Sequence, residues 1–370
     1  MMAYMRMNMS NCQGRQAPFL ANLLPSIGAC LGISPYDTDV IGLPDSTRYV
    51  VVLVDGLGWD ITMKALIDAP YIASVIGDAR KIQVATPTTT SSSLTSLWTG
   101  VSSGSHGIVG FSFELDGQVV VPLLVKDPIP TAQPIMNRMT DAGVDVAWVI
   151  PSGHIESGLT KMGTSTARMI GVDTPDHDRR VAEISAAARR GSHSLVFAYE
   201  PRLDETGHSR GIASEQWRQA LTDIDSFLEQ LRGTLDDDVR LIVTGDHGMV
   251  DVEKADLIDI DTTPDLKADL HLIGGEARFR HLYTNTPTAV ARRWKDHLAD
   301  EALIMTRAEA IDSGIFGMVD PRYLSRIGDV IATPRSAQAY LTSAFPGEYH
   351  LIGMHGGRTS AELYVPVLID

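Results

Sequence analysis

The sequence predicts an α/β protein built on a doubly wound, mostly parallel sheet flanked by helices. The first observation is a continuous apolar and β-branched run, Tyr49–Val54, of the kind that is buried on both faces in a parallel sheet. The second is the recurrence of similar runs at Val144–Ile150, Leu195–Tyr199 and Leu241–Thr244. The third is that helical patterns separate several of these runs, and such alternation is typical of doubly wound sheets.

Further elements follow from local patterns. The apolar stretch Val119–Val125 predicts another strand, and Leu363–Ile369 predicts a strand that returns to the core at the end of the chain. Apolar residues spaced three and four apart from Trp217 to Leu231 predict an amphipathic helix. We expect this helix to be closed by Gly233.

A change of pattern after residue 260 predicts a smaller inserted unit. This region contains a Gly274-Gly275 pair and a charged stretch, Ala289–Leu303, for which we expect a helix. We therefore expect three parts: an N-terminal leader and helix over 1–45, a catalytic core over 46–260 together with 346–370, and a cap or insertion over 261–345.

Charge and cysteine content limit the partners and the compartment. The chain has 31 basic and 46 acidic residues and a net charge of −15, which argues against binding duplex nucleic acid or an anionic membrane surface. A small phosphorylated substrate remains compatible, because bound divalent cations can reverse the local field. Cys12 and Cys30 are too few for a disulfide framework and fit a reducing compartment.

The N-terminal region shows no clear targeting signal. Its best apolar stretch, Ala17–Ile33, is interrupted by Asn22 and Pro25 and is too short for a membrane span. We expect residues 1–17 to be a disordered or loosely helical leader, followed by a short helix. The expected location is the cytoplasm, and the sequence leaves the oligomeric state open.

Candidate metal ligands follow three of the predicted strands. Asp55 directly follows the first strand. Asp204 and His208 follow the strand that ends at Tyr199, and Asp246 and His247 follow the one that ends at Thr244. Active sites of doubly wound sheets lie at the carboxyl ends of the strands. We therefore expect these side chains to face the same site.

His355 lies among glycines in residues 353–357, where the backbone can approach a ligand closely. Each candidate also has an ordinary structural interpretation, such as a turn at Asp55-Gly56 or a helix cap at Asp204. Taken together, three aspartates and three histidines suit Zn²⁺ or a similar ion. Six ligands are enough for two ions held by three protein ligands each.

A dense run of hydroxyl residues, Thr86–Ser93, precedes a short apolar periodic segment. One hydroxyl is therefore expected at a helix N-terminus, where free N–H groups and the helix dipole favour an anion. Such a position suits a nucleophile that must ionise, although an ordinary Ser/Thr cap gives the same pattern.

The segment Gly100–Gly104 matches the G-x-S-x-G pattern of serine esterases. That elbow requires a strand before it and a helix after it. The residues before Gly100 look helical, so the pattern does not indicate a serine nucleophile at Ser102.

The order of these motifs resembles the type I phosphodiesterase/nucleotide pyrophosphatase family of the alkaline phosphatase superfamily. The matching motifs extend from Asp55 to His355, and each is weak alone. In chain order they are Val54-Asp55-Gly56, Pro87-Thr88-Thr89-Thr90, Thr99-Gly100, Ser105-His106-Gly107-Ile108, Asp204 with His208, Gly245-Asp246-His247-Gly248-Met249, and Gly353-Met354-His355-Gly356.

This resemblance implies an alkaline-phosphatase-like fold and a two-zinc site, with Mn²⁺ or another divalent ion as an alternative metal. The implied ligands of one ion are Asp204, His208 and His355, and those of the other are Asp55, Asp246 and His247. Thr90 is the implied nucleophile and also contacts the metals, while Ser91 and Ser93 are implied to bind phosphoryl oxygens. The implied reaction is hydrolysis of phosphodiester or pyrophosphate bonds in nucleotide-like substrates.

The chain departs from the family next to the nucleophile. The family usually has aromatic-Pro-Asn there, whereas this chain has Ser91-Ser92-Ser93. The substrate therefore remains open. A phosphomonoesterase, a phosphonate or sulfate-ester hydrolase, and a non-enzymatic ligand-binding relative are alternatives. The stretch Thr86–Thr99 contains no arginine, which favours diesters over monoesters. Arg278 and Arg280 either contact a distal part of the substrate or are solvated strand charges.

Overall fold

The computed structural model describes residues 18–370, together with two short paired strands before them, Ser10–Asn11 and Arg15–Gln16. The expected leader, residues 1–17, otherwise lies outside the described residues.

The strands and helices of the described chain alternate over most of its length. The strands are β1 (Ser10–Asn11), β2 (Arg15–Gln16), β3 (Arg48–Val54), β4 (Arg80–Gln83), β5 (Phe113–Leu115), β6 (Gln118–Val120), β7 (Asp145–Ile150), β8 (Arg168–Gly171), β9 (Ser194–Glu200), β10 (Val239–Thr244), β11 (Val250–Asp251), β12 (Leu257–Asp259), β13 (Leu272–Glu276), β14 (Phe279–Tyr283), β15 (Ala302–Thr306), β16 (Val330–Pro334), β17 (Ala339–Leu341), β18 (Gly353–Met354) and β19 (Tyr364–Ile369). The helices are α1 (Leu23–Cys30), α2 (Trp59–Lys64), α3 (Pro70–Val75), α4 (Thr90–Thr99), α5 (Ser103–His106), α6 (Ile135–Asp141), α7 (Gly158–Gly163), α8 (His177–Ala188), α9 (Arg202–Arg210), α10 (Glu215–Thr234), α11 (Pro264–Lys267), α12 (Pro287–Leu298), α13 (Arg307–Asp312) and α14 (Ser360–Leu363).

The central sheet has the order β4-β19-β10-β3-β9-β7-β8. β3 pairs in parallel with both β9 and β10, and β7 pairs in parallel with β8 and β9. Only β19 runs against its neighbours in this sheet, where it pairs with β4 and β10. The predicted α/β class with a mostly parallel sheet is confirmed. The apolar run that predicted β3 is buried throughout, because helices cover both faces of the sheet.

The predicted strand Val119–Val125 is wrong in its extent. Only Gln118–Val120 forms a strand, which pairs with Phe113–Leu115 in a short hairpin. The chain then turns, with the Leu124 N–H bonded to the Val121 carbonyl at 2.9 Å. Pro122 has no N–H to offer a ladder, so the apolar stretch cannot continue as a strand.

Helix α10 confirms the amphipathic pattern from Trp217 to Leu231. Its apolar face packs beneath β3 in one of the two main cores. Ser214 caps its start by accepting the Trp217 N–H at 3.1 Å. Gly233 lies inside the last turn rather than beyond it, so the expected glycine stop is wrong by about one residue. Among the helices of the described residues, none has the length and apolarity that a membrane span needs.

The region expected to be a cap contains its own antiparallel sheet, in the order β13-β14-β16-β15. Helix α12 packs on this sheet around Trp294. The predicted helix Ala289–Leu303 is shorter than expected, because it ends at Leu298 and Leu303 already belongs to β15. The proposed domain boundaries stay predictions.

The structure confirms that Gly100–Gly104 is not a nucleophile elbow. The segment follows a helix, α4, and not a strand. Gly100 ends that helix with a φ of 71°, and Ser102 is the N-cap residue before the short helix α5. The Ser102 hydroxyl bonds to Ser105 and to the Met318 carbonyl, away from the sheet edge.

Two helical glycines provide a matched test of core packing. A Cβ atom at Gly163 would lie closer than 3.0 Å to Trp148 and Trp98, whereas a Cβ atom at Gly233 would meet nothing within 4 Å. We expect Gly163→Ala to lower the free energy of unfolding by about 1–3 kcal/mol through overpacking. Gly233→Ala should raise it by up to about 1 kcal/mol through helix propensity. Urea denaturation of both variants measures the difference, and equal stabilities would contradict this account of the core.

Candidate active site

The structure brings the six predicted metal ligands together at the carboxyl edge of the central sheet. Asp55 directly follows β3, and Asp246 lies two residues beyond the end of β10. Helix α9 follows β9 and carries Asp204 and His208 one turn apart, so their side chains share a face. His355 reaches the same place from the loop that follows β18.

A first group of potential ligands surrounds His247. Its Nε2 lies 3.3 Å from Asp55 Oδ1 and 3.4 Å from Asp246 Oδ2. Thr90 Oγ1 lies 3.2 Å from the same Nε2 and 3.4 Å from Asp55 Oδ2. One ligand atom from each of Asp55, Asp246 and His247 lies within 4.8 Å of the others, so one ion can reach all three.

A second group lies beside the first. His208 Nε2 is 3.3 Å from Asp204 Oδ2 and 3.2 Å from His355 Nε2, and His355 Nε2 is 3.8 Å from Asp204 Oδ1. The His247 ring stacks on the His355 ring with centroids 3.7 Å apart, and His247 also falls within 4.8 Å of Asp204 and His355. His247 therefore lies between the two groups, whereas the resemblance implied a role with one ion only.

Backbone carbonyls fix the orientation of the three imidazoles. A carbonyl only accepts hydrogen bonds, so the Nδ1 atom that faces it carries the proton. Each Nε2 atom is then left with its lone pair directed into the site, as metal-binding histidines require. The three bonds run from His208 to Gly353 at 2.8 Å, from His355 to Thr88 at 2.9 Å and from His247 to Gly248 at 3.1 Å.

Unpartnered carboxylate oxygens show that these residues fit divalent cations. Among the described residues, Asp55 Oδ1, Asp204 Oδ1 and Asp246 Oδ2 are buried and have no hydrogen-bond partner. Burying a charge without a partner is costly, and a cation removes that cost. With three oxygen and three nitrogen ligands, the set suits Zn²⁺ or a similar borderline ion.

The proton affinities of the site show the same crowding of charge. Burial raises the pKa of Asp55 well above its usual range, and the neighbouring charges of Asp246 and Asp204 raise it further. Burial is also the main cause of the raised pKa of Asp246. Burial lowers the pKa of His355 well below its usual range, with further effects from His247 and His208. Without cations, the site therefore favours protonated carboxyls and neutral imidazole at His355.

Two glycines allow the strand ends to approach one another. Gly56 has a φ of 77°, and a Cβ atom there would lie 3.2 Å from Asp204. A Cβ atom at Gly248 would overlap the Ala361 carbonyl oxygen. Side chains at these two positions would push apart the segments that carry the aspartates.

Thr90 is the first residue of α4, a ten-residue helix whose side chains are all buried. The first intrahelical bond is made by the Ser93 N–H to the Thr89 carbonyl, so the N–H groups of Thr90, Ser91 and Ser92 have no acceptor within the helix. Within the described chain, the Ser91 and Ser93 hydroxyls are buried without partners. This helix end favours an anion next to the Thr90 hydroxyl.

A cavity of about 280 Å³ opens over Thr90 and the two ligand groups. The residues that line this cavity include Tyr199 and Glu276, neither of which was predicted from the sequence as a site residue. The Tyr199 hydroxyl donates to Asp55 Oδ2, and burial is the main cause of its raised pKa. Tyr199 could have been found from the sequence, because it lies at the carboxyl end of a predicted strand. Glu276 follows the noted Gly274-Gly275 pair, but nothing in the local pattern indicates a site there.

Both expectations for Arg278 and Arg280 are wrong. Neither guanidinium is solvated, because both side chains are fully buried, and neither lines the cavity. Arg278 makes two bonds to Glu362, at 2.7 and 2.8 Å, and Arg280 pairs with Glu348. The internal acids that pair with them stand far away in sequence, so the pattern around residue 280 could not reveal them.

Metal binding to this site should release protons. Because the pKa of Asp55 is raised well above its usual range, the metal-free site keeps a proton on this carboxyl to a higher pH than an ordinary aspartate does, and a cation must displace it. The number of protons released should fall as the pH rises, because fewer are bound beforehand. Zinc titration calorimetry in buffers of different ionisation enthalpy measures this number. Heats that do not depend on the buffer at any pH of the series would contradict the prediction.

Comparisons with known proteins agree on one family. The sequence model of the type I phosphodiesterase / nucleotide pyrophosphatase family matches residues 49–358. The ectonucleotide pyrophosphatase/phosphodiesterase family member 7 of Mus musculus is 25% identical over 263 residues, which cover 62% of this chain and 57% of that protein. The chain thus matches little more than half the length of that relative.

Solved structures share the fold. The murine ectonucleotide pyrophosphatase/phosphodiesterase 5 has a TM-score of 0.72 at 20% identity, covering 87% of this chain and 88% of that one. The phosphonoacetate hydrolase of Sinorhizobium meliloti 1021, in complex with phosphonoformate, has a TM-score of 0.66 at 20% identity, covering 88% and 91%. With its motifs in order along residues 49–358, the chain belongs to the type I phosphodiesterase / nucleotide pyrophosphatase family.

Proposed function

We propose that this protein is a metal-dependent hydrolase that cleaves phosphodiester or pyrophosphate bonds in small, nucleotide-like phosphorylated substrates. The observation that carries the proposal is the position of the Thr90 hydroxyl. It lies at the N-terminus of α4 and within 3.4 Å of Asp55 and His247, beside the unpartnered oxygens of the ligand groups. A hydroxyl in this position has what a nucleophile needs in order to ionise.

Two divalent cations, most simply Zn²⁺, are the proposed cofactors. Such cations lower the pKa of a nearby hydroxyl and neutralise charge on the transferred group and the leaving group. The proposed ligands of one ion are Asp204, His208 and His355, and those of the other are Asp55, Asp246 and His247, with Thr90 next to both groups. The imidazole lone pairs that face the site and the carboxylate oxygens without hydrogen-bond partners support this assignment.

Thr90 would carry the transferred group between two displacement steps. In the first step, a bond forms between Thr90 Oγ1 and phosphorus, the bond to the leaving group breaks, and the leaving group departs with the proton that the threonine loses. In the second step, water attacks phosphorus and the bond to Thr90 breaks, which restores the hydroxyl. The free N–H groups at the start of α4 would bind the equatorial oxygens. The hydroxyls of Ser91 and Ser93, which were predicted to help, do not line the cavity.

Diesters fit this site better than monoesters. A phosphomonoester carries one more negative charge on the transferred group, which needs an additional cation. Among the described residues that line the cavity, none is lysine or arginine. Arg358 is the basic residue beside the hydroxyl run, and its Nη1 donates to Thr86 Oγ1 at 2.9 Å. The murine relative named above has also been determined in complex with AMP, which supports a test of nucleotide substrates.

Hydrolysis of a phosphonate, phosphomonoester or sulfate ester is the second candidate function. The observation that favours it is the replacement of the usual residues after the nucleophile by Ser91-Ser92-Ser93. The structural likeness to a phosphonoacetate hydrolase points the same way. A non-enzymatic role is less well supported, because the full ligand set is present around Thr90. A cytoplasmic location stays a prediction.

Replacing Thr90 should abolish turnover without removing the metal. We expect Thr90→Ala to lower kcat for bis-p-nitrophenyl phosphate by at least about 10³-fold, because it removes the hydroxyl that lies beside Asp55 and His247 at the N-terminus of α4. Thr90→Ser should retain part of the activity. Metal content is measured on the same samples. Ser102→Ala is the control for a serine esterase and should leave kcat unchanged. Full activity of Thr90→Ala would overturn the assignment of the nucleophile.

The substrate class is tested with matched p-nitrophenyl esters. We expect turnover of bis-p-nitrophenyl phosphate and p-nitrophenyl thymidine monophosphate to exceed that of p-nitrophenyl phosphate, because the cavity lacks a further cation. A chelator should abolish the turnover and added zinc should restore it. Preference for the monoester would favour the second candidate function, and turnover that resists the chelator would exclude both.

A further inference from the structure

A buried carboxyl group in the cavity lacks a partner. Glu276, the last residue of β13, is only 7% exposed and lines the cavity together with Thr90. Its Oε2 accepts the Phe111 N–H at 3.2 Å, and its Oε1 is buried with no hydrogen-bond partner within residues 18–370. Burial raises the pKa of Glu276 to about 8, so its ionised form is disfavoured until a partner meets it.

Among the described residues, no donor makes a hydrogen bond with Oε1. The Thr89 side chain and the charge of Arg280 both favour ionisation of Glu276, but burial outweighs them. The Arg280 guanidinium is bonded to Glu348 and, at 2.8 Å, to the Tyr340 carbonyl, and its Nη1 is buried without a partner. The other buried arginine nearby in sequence, Arg278, is bound by Glu362. Oε1 is therefore free to accept a hydrogen bond from a molecule that fills the cavity.

The other charged side chains of the cavity wall are also acidic. Besides the proposed metal ligands, its ionisable lining includes Glu205 and Glu348, whose pKa values are both raised by burial. The described lining contains no basic side chain other than histidine. A substrate with a further anionic group would meet these acids, whereas a hydrogen-bond donor would be stabilised by them.

A glycine in the loop of His355 leaves space for the Glu276 side chain. A Cβ atom at Gly356 would lie closer than 3.0 Å to Glu276 Cγ, so only glycine leaves room for this side chain. Gly356 follows His355 and is bonded to Thr88, two residues before the nucleophile. Glu276 is thus wedged between the two loops that form the site, close to where a substrate on Thr90 would extend.

We propose that Glu276 determines substrate specificity by accepting a hydrogen bond, through Oε1, from an ammonium or hydroxyl group on the alcohol substituent of the phosphodiester. The enzyme would then prefer diesters whose substituent carries a donor close to phosphorus over diesters with apolar or anionic substituents. This inference rests on the proposed function and names the class of substrate for it.

The test compares four p-nitrophenyl phosphodiesters that differ only in the second alcohol. Methanol provides no donor, ethylene glycol provides a hydroxyl, ethanolamine provides an ammonium donor, and choline provides a cation without an N–H. We expect kcat/KM for the ethanolamine ester to exceed that for the methyl ester by about 10-fold or more, with the glycol ester between them. The choline ester should gain less than the ethanolamine ester.

The variant Glu276→Gln should bring the ratio of ethanolamine to methyl ester close to one. Glu205→Gln is the matched control, because it removes one carboxylate from the same cavity wall, and it should keep the ratio. Metal content and thermal stability are measured for both. If Glu276→Gln fails to fold, Glu276→Asp keeps the charge with a shorter reach and should give an intermediate ratio.

Binding measurements distinguish a failure of this inference from a failure of the proposed function. Calorimetry on the zinc-loaded protein measures the affinity for O-phosphorylethanolamine and for methyl phosphate. We expect about 10-fold tighter binding of the former, lost in Glu276→Gln, even if no diester is turned over. Equal ratios in wild type and Glu276→Gln would overturn the inference. So would a fall of the ratio in both glutamine variants, or a choline ester as good as the ethanolamine ester.

Discussion

Negative charge concentrated at one edge of the sheet is the constraint on which the rest of the site depends. Asp55, Asp204 and Asp246 converge there, each with an oxygen that no donor of the described residues satisfies. Three imidazole lone pairs face the same space, and those of His208 and His355 are only 3.2 Å apart. Such an arrangement is unfavourable in a chain alone, and cations turn the repulsion into coordination. A site of this composition therefore makes sense only as a binding site for positive charge.

The surrounding structure holds these groups in place against their repulsion. Buried parallel strands fix the positions of Asp55 and Asp246, helix α9 carries Asp204, and backbone carbonyls fix the imidazoles. The loop that carries His355 is held by Glu362, which accepts the Gly357 N–H at 2.8 Å and the Thr359 hydroxyl. Glu362 in turn is bound by two nitrogens of Arg278, from the region predicted to be the cap. Since both members of this pair are fully buried, removing one would leave a charge unpaired next to a proposed metal ligand.

Much of this site could be predicted from the sequence because parallel strands end at one edge. Long buried strands are evident from composition, and Asp55 and Asp246 simply follow them. The apolar stretch Val119–Val125 looks similar but turns, because a single proline ends its pairing. The position of His247 between the two ligand groups depends on side-chain packing, which no spacing encodes. Glu276 and Thr90 line the same cavity although some 190 positions separate them in the sequence, so no local pattern could reveal Glu276.

The groups proposed for the reaction and the residue proposed to recognise the substituent come from different parts of the fold. The groups proposed to act on phosphorus come from strand ends of the central sheet, from the helices α4 and α9 and from the His355 loop. The residue that replaces the family's usual asparagine, Ser93, is buried and does not line the cavity. The acid that lines the cavity together with Thr90, Glu276, comes from a separate sheet. The proposed chemistry at Thr90 and the proposed recognition at Glu276 therefore come from different parts of the fold. The loop of His355 joins them, because it bonds to Thr88 and packs against Glu276.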